Sequence, residues 1–140
     1  MSARALSTWT SLREHLTVEH ALLEGKDDRL LLACNLPLGR WLVRVKRAQR
    51  RGVPALEVSV LIGRAGELPL SLAAVNDNLV AGRLTLSNDY LVLHDVLPFD
   101  GLQLEAVRQL IDQLAGEAGR ILAQMRPQHF VATVFNHFAE

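Results

Sequence analysis

The chain has 140 residues, a length that suits one domain, spanning 1–140, with its own hydrophobic core. Fifteen Lys+Arg balance fifteen Asp+Glu, and a net charge of zero argues against a dedicated nucleic-acid binder. Hydrophobic residues at 49% exclude a disordered chain, and aromatics at 5% leave the core to Leu, Val, Ile and Ala.

The one cysteine, Cys34, allows no disulfide framework and fits a reducing cytoplasm. No apolar run approaches the roughly 18 residues of a membrane-spanning helix. The N-terminus lacks the continuous apolar stretch of a secretory signal. The expectation is a soluble cytoplasmic protein with no membrane span.

In chain order, Leu6, Trp9, Leu12 and Leu16 recur at three- and four-residue spacing and predict a helix from Ala5 that ends near His20. A short strand or turn follows to Glu24, where helix and strand periods overlap. Gly25-Lys26-Asp27-Asp28 is turn chemistry. Arg29 to Leu36 is a continuous apolar run, read as a strand buried on both faces. Arg40 to Ala48 alternates, with Trp41, Val43 and Val45 on one side and Leu42, Arg44 and Lys46 on the other. Val53 to Ile62 is a third strand, with Leu56, Val58 and Val60 toward the core and Glu57 and Ser59 pointing out.

Pro69 suits the first turn of a short helix that ends near Asn78. Arg83 to Leu86 and Tyr90 to Val96 flank Asn88-Asp89 as a hairpin. From Leu104, the series Leu104, Val107, Leu110, Ile111, Leu114, Ala118, Ile121, Leu122 and Met125 is the strongest helical period in the chain, with Asp100 as its expected cap. Pro127 stops that helix. Residues 128–140 form an apolar C-terminal tail bearing Phe130, Val131, Val134, Phe135 and Phe138. The fold class is α+β, in the order α-β-β-β-α-β-β-α, with an antiparallel five-stranded sheet packed against helices.

No catalytic signature is present: no G-x-S-x-G elbow supports a Ser/His/Asp triad. The five histidines, His15, His20, His94, His129 and His137, carry no zinc-motif spacing, so neither a metal nor a cofactor is expected. Cys34 lies in an apolar strand and reads as an inert buried thiol. Arg40, Arg44, Lys46, Arg47, Arg50 and Arg51 form the densest charge cluster. It suits an anionic partner or, more simply, a solvated strand face and turn. Gly116 and Gly119 make a small-residue patch in the last helix, suited to close packing or to a dimer contact.

Three motifs carry a family resemblance. Ala74-Val75-Asn76-Asp77-Asn78 is an apolar-then-Asn helix end, Gly82-Arg83-Leu84-Thr85-Leu86 is a G-x-L-x-L strand, and Leu97-Pro98 with Gly101-Leu102 is an LP…GL entry to the last helix. With the element order, these resemble the type III secretion chaperone-like fold. Its members include YbjN-like sensory transduction regulators and, more distantly, class I Tir/CesT-like secretion chaperones. The latter are markedly acidic, whereas this chain is neutral, so the likeness to the YbjN-like group is closer.

The resemblance implies a non-enzymatic protein-binding module, chaperone-like or regulatory. It implies a homodimer that holds a partner segment, effector-like in the chaperones, on apolar patches of the sheet and first helix. On this chain such a surface falls on Trp9 and Leu12, on Trp41, and on Phe130, Val134, Phe135 and Phe138 of the tail. The alternative is a small enzyme or ligand-binding domain with a pocket between sheet and long helix.

Overall fold

A computed structural model describes residues 9–36, 39–64 and 71–123. Its elements are α1 (Trp9–Glu19), β1 (Ala21–Lys26), β2 (Arg29–Leu36), β3 (Gly39–Arg50), β4 (Val53–Arg64), α2 (Leu72–Asp77), β5 (Arg83–Ser87), β6 (Tyr90–Pro98) and α3 (Leu104–Ala123). The strands form one open sheet in the order β1-β2-β3-β4-β6-β5, and every neighbouring pair is antiparallel.

The sheet therefore has six strands, not the five expected, and the element order gains a strand after α1. The additional strand is β1. Its apolar residues do not alternate, and its pairing with β2 shifts register between Leu22 and Glu24. A short bulged strand of this kind has no clean period of two, which is why the sequence leaves it open between strand and turn. It exists because β2, a long and strongly apolar strand, offers it a partner.

Turn chemistry sets the register of two hairpins. Arg51 and Gly52, at φ 54° and 79°, join β3 to β4, and Asn88 and Asp89, at φ 50° and 69°, join β5 to β6. Two consecutive residues with positive φ make a two-residue loop whose twist matches that of the flanking strands. The first hairpin puts Val45 opposite Val58 and Val43 opposite Val60, so both strands turn the same aliphatic set inward.

The three described helices pack on this inner face. The main core joins Leu30, Leu32 and Cys34 of β2 with Val43 and Val45, Leu56, Val58 and Val60, and Leu91 and Leu93. Over them lie Leu12 and Leu16 of α1 and the stripe Val107, Leu110, Ile111, Leu114, Ala118 and Ile121 of α3. At about 1.5 Å per residue the 20 residues of α3 make a rod of about 30 Å, long enough to cross several strands spaced about 4.8 Å apart. The entry to α3 differs from expectation. Its first turn starts from the Gln103 carbonyl, which accepts from the amides of Ala106 and Val107, while Asp100 belongs to the preceding turn with Gly101 at φ 72°.

Two of the quoted motif positions have direct structural roles. At the end of α2, the Asn76 side-chain carbonyl accepts the Leu84 amide at 2.7 Å, and its amide group donates to the Leu84 carbonyl at 2.9 Å. One side chain thus satisfies both main-chain groups of an edge-strand residue, as a neighbouring strand would. Gly82 has φ 78°, and a Cβ there would lie 2.5 Å from Leu114 Cδ2 and 3.2 Å from the His94 carbonyl oxygen. Only glycine allows β5 to begin this close under α3.

One ion pair ties the first helix to the last. Arg108 of α3 holds the Glu19 carboxylate with Nε, at 3.1 Å and 2.7 Å to its two oxygens, and also with Nη2. These hydrogen bonds and the nearby positive charge hold the Glu19 carboxyl below its ordinary value.

Two outcomes follow from this geometry. Asn76→Ala leaves the Leu84 amide and carbonyl without their partner and is expected to lower unfolding free energy by about 1–3 kcal/mol in urea titration. Asn76→Asp, which keeps the acceptor but loses the donor, should also destabilise. Because the folded pKa of Glu19 lies below its unfolded value, its contribution is complete above the ordinary carboxylate range and is lost as pH falls through the lowered value. Glu19→Gln should therefore flatten the stability–pH curve in that acidic window and leave its shape near pH 7 unchanged, as read from urea midpoints at stepped pH.

Candidate functional site

The sheet's two edges differ. The β5 edge is closed at Leu84, its second residue, by Asn76, although Val80 and Leu86 remain exposed beside it. Among the described residues nothing pairs with the outer side of β1. Arg13 touches only its end, donating from Nη1 to the Lys26 carbonyl at 3.0 Å. Along this edge Leu22 and Leu23 are 42% and 40% exposed, and Val18, near the end of α1, is 87% exposed. Glu24 and Lys26 on the same strand pair with each other at 3.4 Å, which leaves the stretch Ala21–Leu23 free of charge. An unpaired strand with exposed leucines is a template for an added strand.

Three of the expected partner-surface residues lie elsewhere. Trp9, Leu12 and Trp41 are buried in the main core, so they join helices to sheet and do not form an outward patch. The reason is geometric: Trp9, Leu12 and Leu16 make the inward stripe of α1, and Trp41 begins the inward set of β3. Both indole N–H groups are buried without a hydrogen-bond partner among the described residues, a cost that packing around the rings must offset. Phe130, Val134, Phe135 and Phe138 fall outside the described residues.

Strand alternation divides the basic cluster. Arg44 and Lys46 stand on the outer face of the sheet, where Lys46 is opposite Arg29 in β2 and Glu57 in β4. Burial lowers the Arg44 guanidinium from its ordinary value, and Glu57 opposes that shift. Arg47 lines a cleft at the sheet end, Arg50 pairs with Glu57 at 3.4 Å, and Arg51 forms the hairpin turn. Cations that are contiguous in sequence are thus dispersed over two faces and a turn.

Open clefts lined by described residues border the core. One, of about 680 Å³, is lined by Trp9, Asp28, Arg47, Gln49, Pro54 and Phe99. Another, of about 290 Å³, lies between α2 and α3 and is lined by Val75, Leu79, Val80, Glu117, Arg120 and Ile121. Glu117 is buried there and pairs with Arg120 one turn along. Among the described residues no group of three His, Cys, Asp or Glu side chains could hold a metal ion. No described helix is long and apolar enough to cross a membrane. A Cβ at Gly116 would meet open space, and one at Gly119 would lie 3.9 Å from Trp41 Cζ2, so neither glycine is demanded by close packing.

No family model, curated protein or solved structure matches the chain.

Cys34 lies in the centre of β2, fully buried, and burial, with a smaller contribution from the Asp112 carboxylate, pushes its thiol up to about 12. A thiol so placed gives almost no thiolate at neutral pH. It should resist an aromatic disulfide reagent at pH 8 in the native protein and react fully in denaturant. Stoichiometric labelling of the folded chain within minutes would contradict this placement.

Proposed function

We propose that this chain is a non-enzymatic protein-binding module, chaperone-like or regulatory, that acts as a homodimer and holds an extended segment of a partner protein. The observation that carries this reading is the β1 edge, which no described residue pairs, with Leu22 and Leu23 exposed along it and Val18 close by in the chain. An extended segment added at such an edge gains main-chain hydrogen bonds that do not depend on its sequence, and alternate side chains that give selectivity. The roles of Asn76 and Gly82 add support, because they give a physical reason for two positions by which the chain resembles the secretion chaperone-like and YbjN-like proteins. The aliphatic composition and neutral charge suit a surface that recognises shape and main chain rather than phosphate.

Light scattering at tens of micromolar tests the homodimer, and a strict monomer would sink that part of the proposal. The double variant Leu22→Lys, Leu23→Lys places charge on two exposed positions and should leave the thermal midpoint within a few degrees of the parent. It should abolish capture of any stoichiometric partner recovered from the native cell. Unchanged capture by a folded double variant would show that the β1 edge is not the binding surface.

A further inference from the structure

The inward row of β3 continues beyond its buried part. Trp41, Val43 and Val45 are buried, but the next residues on the same side, Arg47 and Gln49, are exposed. Both line the cleft of about 680 Å³ at this end of the sheet. Register sets Arg47 beside Leu56 and Gln49 beside Pro54. Two main-chain hydrogen bonds fix the surroundings. The Arg47 amide donates to the Asp28 carbonyl at 2.8 Å, and the Phe99 amide donates to the Pro54 carbonyl at 3.1 Å. Trp9 of α1 and Phe99 add aromatic surface to the lining.

The charges of this cleft do not cancel. Asp28 also lines it, but its carboxylate pairs with Arg29 at 3.2 Å. Arg50, farther along β3, pairs with Glu57 at 3.4 Å. The Arg47 side chain has no ion pair or hydrogen bond among the described residues. The cleft thus combines aromatic and Pro54 surface with one uncompensated guanidinium and the neutral amide of Gln49. Its volume falls within the roughly 300–1,000 Å³ of small-ligand sites, which are mostly apolar with a few placed polar groups. Apolar walls also concentrate the field of a charge beside them. A guanidinium matches a carboxylate with two parallel hydrogen bonds. One free cation, with the Asp28 carboxylate nearby, suits a single negative charge better than the two of a phosphate monoester.

We propose that this cleft binds an apolar carboxylate, whose acid group pairs with Arg47 and whose aromatic or branched body lies against Trp9, Pro54 and Phe99. The Gln49 amide supplies a second donor for the acid. Small aromatic or branched-chain acids share this chemistry with the free C-terminus of a chain that ends in such a residue. The site is separate from the β1 edge, and either can fail while the other stands.

Titrating the full, isotopically labelled chain with N-acetylphenylalanine, followed by amide and indole N–H signals, tests the proposal. The Trp9 indole and the Gln49 and Phe99 amides should shift together and saturate with a Kd of about 1 mM, as suits a ligand of this size. N-acetylphenylalaninamide, the same body without the charge, should bind about tenfold more weakly. In Arg47→Gln the acid and the amide should bind alike, whereas Arg47→Lys should keep part of the preference for the acid. A tripeptide ending in phenylalanine that binds more tightly than the acid would assign the cleft to a chain end, and one that binds more weakly would assign it to a small acid. The Leu22→Lys, Leu23→Lys variant should bind the acid as the parent does, which keeps this result apart from the β1 edge. Absence of saturable shifts would overturn the proposal, as would equal binding of acid and amide by the parent chain, a preference that survives Arg47→Gln, or tighter binding of phenyl phosphate. The comparison of acid with amide on the parent decides even if a variant fails to fold.

Discussion

Burial of the inner sheet face beneath α3 is the interaction on which the rest of the molecule depends. Strand β4 is central: it pairs on one side with β3 and on the other with β6, and α3 lies across it. From Leu56 to Ile62 its inward residues are aliphatic and fully or almost fully buried. The α3 stripe matches it with branched side chains at three- and four-residue spacing. At about 25 cal/mol per Å² of apolar surface removed from water, this shared layer supplies most of the favourable free energy available to so aliphatic a chain. The finer devices serve this contact. Gly82 lets β5 start directly under Leu114, and Arg108 draws the end of α1 onto the same helix.

An open sheet has two faces and two edges, and each exposes groups that need partners. The inner face is covered by helices. The β5 edge is closed by Asn76, which imitates a strand with a single amide. The β1 edge carries its leucines toward solvent, and the outer face has a buried aliphatic cluster beside a charged row of Arg29, Lys46 and Glu57. These solutions differ in kind because the local sequence differs. Asn can present a donor and an acceptor with the spacing of a peptide group. A six-residue strand with a bulge presents main chain but little side-chain cover.

Much of this was legible in the sequence, and the exceptions have physical causes. Strands β2, β3, β4 and β6 and helix α3 are plain, because their hydrophobic period is set by large one-sided burial. The continuous burial of Leu30 through Cys34 matches the expected two-sided strand, and Asn88-Asp89 forms the expected turn. Strand β1 was not plain, since its pairing comes from β2 and a bulge breaks its alternation. Ser59 keeps its expected direction away from the core but is buried, not solvated; alternation gives the face of a residue and not what covers that face. The same limit explains Trp9, Leu12 and Trp41. An apolar stripe on a helix or strand is visible in sequence, but whether it meets a partner or the protein's own core depends on how the helices fall across the sheet. The first step of α3 was also misplaced, because Asp100 is a good cap by residue type and the LP…GL turn delays the helix to Leu104.

The composition of β1 limits what an added strand can gain there. The bulge between Leu22 and Glu24 twists the edge, so only a few residues can pair in register. Each main-chain hydrogen bond contributes a net of about 0.5–1.5 kcal/mol, and ordering the incoming segment offsets much of that sum. On the proposed reading, a single edge of this length would bind weakly, whatever the partner's sequence. Two such edges on one assembly bind a long segment far better, because the second contact forms at high effective concentration without any new interaction. In the proposed dimer the second edge would make so short an edge effective, and the distance between the two β1 strands would set the minimum length of chain held.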